Sequence, residues 1–436
     1  MTTSALDDST AATRQRRSMI GAFVGTAIEW YDFYIFGTAA ALVFSPLFYP
    51  DIAPGAGLLA SFATFWVGFL MRPVGGMVFG HFGDRLGRKN VLVITLITMG
   101  SATTLIGLLP TYAQVGIWAP ILLVLLRGVQ GFAVGGEWGG AVLLSTENAT
   151  ARKKGLAGAW VQQGSPAGSI LASLMFLLVG LLPDDAFFSW GWRVPFLVSA
   201  ILVVVGLVIR LKVEESKDFT DTKANQLIVK APLITALRTT PTLVLFGVLA
   251  SIMGIAMAYF NNTFLLSWAT GPLGIERQLM LNITLGIAVL QFIWQPIAAK
   301  IAERFGIENV MIAGLLLAFA NIVPFFLAIS AASPTWIAAA LCVATIGGTA
   351  YYALLASQLA GAFPAHIRYS GISLSYQLCA TIFGGSTPLI AQGILNATGN
   401  NPWAVAAFYA LWVVLTIIGV AGLKRAADRR AARHAA

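Results

Sequence analysis

Apolar positions fill this chain in long runs, and polar positions collect in the short gaps between them. A helix needs about twenty apolar residues to cross a bilayer. Runs of about that length begin near Met19, Ala56, Asn90, Ile117, Gly155, Trp190, Pro241, Gln278, Asn309, Trp336, Ser370 and Trp403. The pattern therefore predicts about twelve spans. Connections are short except for 212–240, which is charged and lies near the midpoint. This gives a cytoplasmic tail at 1–18, six helices over 19–211, a cytoplasmic linker at 212–240, six more helices over 241–423 and a basic tail at 424–436. The expected class is an all-α integral membrane protein whose two six-helix bundles face a central cavity.

Charge orients the spans. Lysine and arginine fall in the N-terminal tail, in Arg85-Leu-Gly-Arg-Lys89, in Arg152-Lys-Lys154, in the linker, at Lys300, Arg304 and Arg368, and in the C-terminal tail. The alternate connections 46–54 and 183–188 carry acids or no charge. Both termini are expected in the cytoplasm, with Arg193 and Arg277 as exceptions at outer span ends. Trp118, Trp190, Trp192, Trp336 and Trp403 are expected at those outer ends, where indole rings favour the interface. An internal repeat supports the two halves. Gly80 to Asn90 follows the second span and Ala299 to Asn309 the eighth, and Asp84 matches Glu303 and Gly87 matches Gly306 about half the chain apart. Repeats that return to the same side of the membrane are parallel, about an axis along its normal.

Composition narrows the function. Of 436 residues, 58% are hydrophobic and 10% charged, with mean hydropathy +0.80; soluble domains carry about 25% charged residues. The net charge of +9 lies in connections and tails rather than on a compact basic face, so nucleic acid is not an expected partner. Cys342 and Cys379 lie in apolar runs and imply no disulfide framework. Residues 1–18 are polar, so no cleavable leader is expected. No phosphate-binding loop, metal-ligand cluster or nucleophile–base set is visible. An enzyme is therefore not expected, nor a cofactor. An ion gradient is left as the energy source.

Charges inside the spans are the candidate chemistry, because an ionisable side chain there must face protein or water. In the fourth span Arg127, Gln130, Glu137 and Trp138 fall within an arc of about 100°. Beside them Gly131, Gly135 and Gly139 form a stripe that admits another helix closely. The first span carries Glu29 and Asp32 on one face. At about 1.5 Å per residue, Asp32 and Arg127 reach similar depths near the midplane. An ion pair between them is expected, either as a permanent strut or as a proton switch. Glu29, Arg72 and Glu137 form a second layer nearer the cytoplasm. Arg193 reads as an anchor or an external gate. The second half has no acid or base inside its spans. It offers Asn261, Asn262, Gln291, Gln295, Tyr351, Tyr352, Tyr376 and Gln377, with Gln291 and Gln295 on one helix face. Together with Arg72, Arg127, Gln130, Trp138, Trp160, Gln163 and Tyr259, these neutral groups are candidate substrate contacts, and Asp32, Glu29 and Glu137 are the candidate proton sites.

Gly80-His-Phe-Gly-Asp-Arg-Leu-Gly-Arg-Lys89 resembles the loop signature of the major facilitator superfamily, and Arg127-Gly-Val-Gln-Gly131 its fourth-helix motif. Glu29-Trp-Tyr-Asp-Phe33, Arg72-Pro-Val-Gly-Gly76, Gly135-Gly-Glu-Trp-Gly-Gly140 and Trp190-Gly-Trp-Arg-Val-Pro-Phe196 resemble the metabolite:proton symporter family, in particular its shikimate and organic-acid branch. The resemblance is strong over the first half and weaker over the second, where Ile307 and Glu308 replace two basic residues. It implies a bacterial inner-membrane carrier, working as a monomer by alternating access, that takes up a small organic acid with a proton. It also implies a cytoplasmic gate at Gly80, Asp84, Arg85, Gly87 and Arg88, with Glu147. The rival is a carrier of proline or betaine, whose osmosensing members bear a C-terminal coiled coil where this chain has no heptads. Proton-antiport exporters carry a motif from which Gly164-Ser-Pro-Ala-Gly-Ser169 departs.

Overall fold

The computed structural model describes residues 2–86, 88–135, 162–211, 237–364 and 367–435. Among them all regular structure is helical. We number the spans α1 (Thr2–Leu42), α2 (Pro54–Leu86), α3 (Arg88–Leu108), α4 (Trp118–Val134), α5 (Gly164–Gly180) and α6 (Val194–Leu211) in the first half. The second half holds α7 (Pro241–Thr270), α8 (Arg277–Phe305), α9 (Ile307–Ser330), α10 (Pro334–Ala362), α11 (Ser370–Ala397) and α12 (Pro402–Ala435). Nine of these are long and apolar enough to cross a membrane among the described residues, α4 and α5 are shorter apolar helices, and α1 completes the twelve. The helix of α1 runs back through the tail to Thr2.

Each half packs within itself, α1 on α5, α2 on α4 and α3 on α6, then α7 on α12 and α8 and α9 on α10. The glycine stripe of α4 is the reason α2 comes so close. A Cβ at Gly131 would fall on the Gly68 carbonyl, and one at Gly135 on the Arg72 carbonyl. Gly139 lies outside the described residues. Between α8 and α9 the chain turns on one residue, Gly306, whose φ of 87° favours glycine.

The halves meet where α2 packs on α11 and α5 on α8. Two prolines prepare these contacts. Pro73 inside α2 and Pro296 inside α8 have no N–H to give the carbonyl four residues back. Those carbonyls, Phe69 and Phe292, accept instead from the opposite half, from Thr381 Oγ1 at 3.1 Å and Gln163 Nε2 at 2.9 Å. Trp66 Nε1 adds a bond of 2.8 Å to the Thr381 carbonyl, within the π-helical turn 380–384 that interrupts α11.

Further contacts close the end away from the chain termini. Arg277 pairs with Asp184 at 2.9 Å, Asn396 Nδ2 donates to the Gly55 carbonyl at 3.3 Å, and Gln278 Nε2 to that of Leu177 at 3.3 Å. Trp118, Trp190, Trp336 and Trp403 are exposed there, as expected of interface anchors. Trp192 is a correction. It is fully buried against Phe44, Phe48 and Phe196, because the chain turns inward at Gly191–Arg193.

Candidate functional site

Two layers of buried charge are built on α1, where Glu29 and Asp32 lie about one turn apart. In the first, Arg72 of α2 stands 3.9 Å from Glu29, the layer expected from depth. In the second, the direct Asp32–Arg127 pair does not form. Asp32 accepts from Ser199 Oγ of α6 at 2.7 Å and from Thr103 Oγ1 of α3 at 2.9 Å. Arg127 donates from Nε to the Phe65 carbonyl at 3.3 Å and from Nη1 to Gln130 Oε1. Gln130 Nε2 donates in turn to Thr103 Oγ1 at 2.8 Å. Acid and base are thus joined through two neutral side chains. Helical rise gives the depth of a residue, but which neighbour fills the space between two helices depends on packing, and here α3 fills it.

The arginines are only partly engaged. Arg127 Nη2 and Arg72 Nε are buried without a hydrogen-bond partner. Both guanidinium groups lie against the Phe33 ring, with Cζ 4.4 Å from its centroid for Arg127 and 4.1 Å for Arg72. Phe36 and Phe69 add faces at 4.1 Å to Arg127 and 4.6 Å to Arg72. An aromatic face attracts a cation without neutralising it, so each fork keeps capacity for an anion.

A cavity of about 470 Å³, counting space open to solvent, lies on the second-half side. It is lined by Asn261, Asn262, Gln291, Thr345, Thr349 and Tyr352, by Met253, Met257 and Ile287, and by Ser165 from the first half. No charged side chain is among them. A tyrosine layer connects cavity and charges. The Tyr352 hydroxyl is 3.4 Å from that of Tyr376, Tyr34 reaches Ser165 Oγ at 3.2 Å, and Trp30 stacks between Tyr34 and Tyr259 at 5.4 and 6.1 Å. Tyr259 lies within electrostatic reach of Arg72, Arg127 and Glu29.

The sequence-derived candidates thus divide. Asn262, Gln291 and Tyr352 come together in the cavity, with Tyr259 and Tyr376 beside it. Gln163 engages the Phe292 carbonyl, and Gln295, a turn beyond Gln291, is buried outside the cavity lining with neither amide atom bonded. Arg193 is a helix cap by geometry. Its Nη1 donates to the Gly107 and Leu109 carbonyls at the end of α3 at 2.9 and 2.5 Å, which favours the anchor over the external gate. Glu137, Trp138, Glu147, Trp160 and Gly87 lie outside the described residues. Gly80, Asp84, Arg85 and Arg88 are described in backbone only, at the end of α2 and the start of α3. Thr103, Ser199, Ser165, Thr345 and Thr349 were not singled out by sequence, because an isolated hydroxyl in an apolar span is as often a bond to its own helix as a site.

A helical membrane protein with a buried layer of ionisable groups beside a neutral cavity is built to pass a solute, and its family is the Major Facilitator Superfamily, whose model matches residues 22–388 and to which the chain belongs. The chain is 42% identical to the shikimate transporter of Escherichia coli K12 over 402 residues, 91% of this chain and 92% of that protein. It is 38% identical to an inner membrane metabolite transport protein of the same organism, over 93% of each. A proline/betaine transporter of Salmonella typhimurium is 31% identical, over 93% of this chain and 82% of its own length. In fold the chain is similar to the crystal structure of a D-xylose-proton symporter, with TM-score 0.74, 16% identity, and 92% of this chain and 96% of that one covered. The protein is a metabolite transporter and not an enzyme.

Proposed function

We propose that the chain takes up a small organic acid together with a proton across the bacterial inner membrane. It works as a monomer by alternating access, with both termini cytoplasmic and 80–88 and Glu147 forming the inner gate. The observation that carries this reading is the charge balance beside a neutral cavity. Among the described residues, buried Arg72 and Arg127 are matched by buried Glu29 and Asp32, while the cavity lining is uncharged. Protonating Asp32 leaves one cation uncompensated in a poorly solvated place, an unfavourable state until an anion arrives. A substrate carboxylate at Arg127 Nη2 restores the balance, so proton and substrate each raise the other's affinity. The rest of the substrate then faces Asn262, Gln291, Thr349 and Tyr352. The shikimate transporter among the relatives supports an acid, and the inner membrane relative supports the location. A zwitterionic osmolyte is the second reading, supported by the proline/betaine relative. Its ammonium would need an acid of its own, and Glu29 already faces Arg72.

The test is transport in proteoliposomes with shikimate, 2-oxoglutarate and proline as probes, under a pH gradient or a sodium gradient. Asp32→Asn is expected to exchange the accepted probe in counterflow yet fail to accumulate it on a pH gradient. Arg127→Ala is expected to abolish binding and uptake, with little recovery in Arg127→Lys because the fork is lost. Accumulation by Asp32→Asn moves the proton to Glu137 or Glu29. Accumulation of proline alone selects the osmolyte reading.

A further inference from the structure

Asp32 is completely buried, and both of its carboxylate oxygens are held by hydroxyl groups. The charged groups facing it are Arg127 on α4 and Glu29 on its own helix; Arg72 on α2 faces Glu29. α3 and α6 present Thr103 and Ser199, and the adjacent Tyr31 hydroxyl donates to the Pro195 carbonyl at 2.7 Å. The two hydroxyls differ in where they lead. Ser199 Oγ has Asp32 as its described hydrogen-bond partner. Thr103 Oγ1 accepts from Gln130, which accepts from Arg127, so every donor in that chain points toward the carboxylate.

Thr103 also has a choice. Its oxygen lies 2.9 Å from Asp32 Oδ2 and 2.9 Å from the Met99 carbonyl, and a hydroxyl has one hydrogen to give. When Asp32 is ionised, that hydrogen is best used on the carboxylate, where a charge-assisted bond is the stronger. When Asp32 binds a proton at Oδ2, the carboxyl becomes a donor. The Thr103 hydrogen then turns to Met99, and Thr103 Oγ1 accepts from both Asp32 and Gln130. The proton ends on Asp32, no other covalent bond changes, and no heavy atom has to move. The pull of an anion on the Gln130–Arg127 end is lost in that state.

We propose that Thr103 is the positioning residue that links protonation of Asp32 to the hold on Arg127, through this exchange of hydrogen-bond acceptor. The proposal rests on the reading of Asp32 as the proton site and adds the route by which substrate and proton sense each other. Ser199 is its internal control, because it touches the same carboxylate without leading to Arg127.

The experiment combines two measurements on reconstituted protein. The first is the infrared titration of the carboxyl band that Asp32→Asn removes. The second is accumulation on a pH gradient relative to counterflow, with whichever of shikimate, 2-oxoglutarate and proline the wild type accumulates. Thr103→Val and Ser199→Ala each delete a donor to the ionised form and are expected to move the titration midpoint alkaline by about one pH unit. Thr103→Val is expected to lower the accumulation ratio by about fivefold or more beyond any loss in Ser199→Ala, with Thr103→Ser restoring it. Equal losses in the Thr103→Val and Ser199→Ala variants, or an unchanged ratio in Thr103→Val, would overturn the relay while leaving Asp32 as the proton site. Accumulation or an intact carboxyl band in Asp32→Asn removes the proton-site reading itself and the relay with it, as does a wild type that accumulates none of the probes. If Thr103→Val fails to fold, Thr103→Ala is measured in its place, with the same two outcomes.

Discussion

At the scale of single residues, Arg193 and Arg127 show how the same side chain takes different roles within one bundle. Arg193 spends its fork on the last carbonyls of α3 and rests on Trp192 at 4.6 Å. Arg193→Ala is therefore expected to lower thermal stability by about 1–2 kcal/mol, from the loss of charge-assisted bonds to carbonyls that no helix N–H reaches. Substrate affinity measured in the same detergent should stay within about twofold, because the residue caps a helix. A large loss of affinity without a change in melting would return it to the list of gates. Arg127 is fully buried, stacked on Phe33 and Phe36, and retains an unbonded Nη2. Its position in an apolar run was visible in the chain, but the vacancy at Nη2 depends on which neighbours reach it.

At the scale of elements, the prolines of α2 and α8 carry the clearest physical logic. A proline inside a membrane helix leaves a carbonyl unsatisfied, and in hydrocarbon that is costly unless another group answers it. Phe69 and Phe292 are answered from the opposite half by Thr381 and Gln163. Pro73→Ala would return an N–H to Phe69 and compete with Thr381, while Thr381→Val would remove the same bond from the other side. Each is expected to shift the equilibrium away from the form described here by about fivefold, the worth of roughly 1 kcal/mol. The double variant should shift it no further, since both changes delete one interaction. Crosslinking yield across the halves is the readout, and additive shifts would show that the two residues act separately.

At the scale of the whole molecule, contacts between the halves run from the α2–α11 and α5–α8 crossings to the end away from the termini. There Gly55 and Asn396 bring the two halves within hydrogen-bond reach. A disulfide between Gly55→Cys and Asn396→Cys, in a background without Cys342 and Cys379, is expected to hold that end shut and stop uptake until reductant is added. Uptake that survives full crosslinking would mean that this end need not open. The Arg277–Asp184 pair close by is partly exposed, so it should contribute little and lose strength with salt.

The order of hydrophobic runs determined the spans, their two halves and the charged layers, because a bilayer fixes the length of a helix and its rise fixes depth. Glu29 and Arg72 fell into one layer for that reason, and the Gly131 and Gly135 stripe announced the close approach of another helix, which the structure shows to be α2. Trp118, Trp190, Trp336 and Trp403 are exposed as their positions in the chain suggested, whereas Trp192 is buried where the chain folds back into the core. Tertiary structure alone decided what lies between helices. It put Thr103 and Gln130 between Asp32 and Arg127, turned Arg193 onto the end of α3, and left Gln295 outside the cavity that Gln291 lines. A periodic pattern gives each helix a face. It does not say which neighbour that face meets, and an isolated threonine becomes a relay only when three helices bring an acid and an amide to its one oxygen.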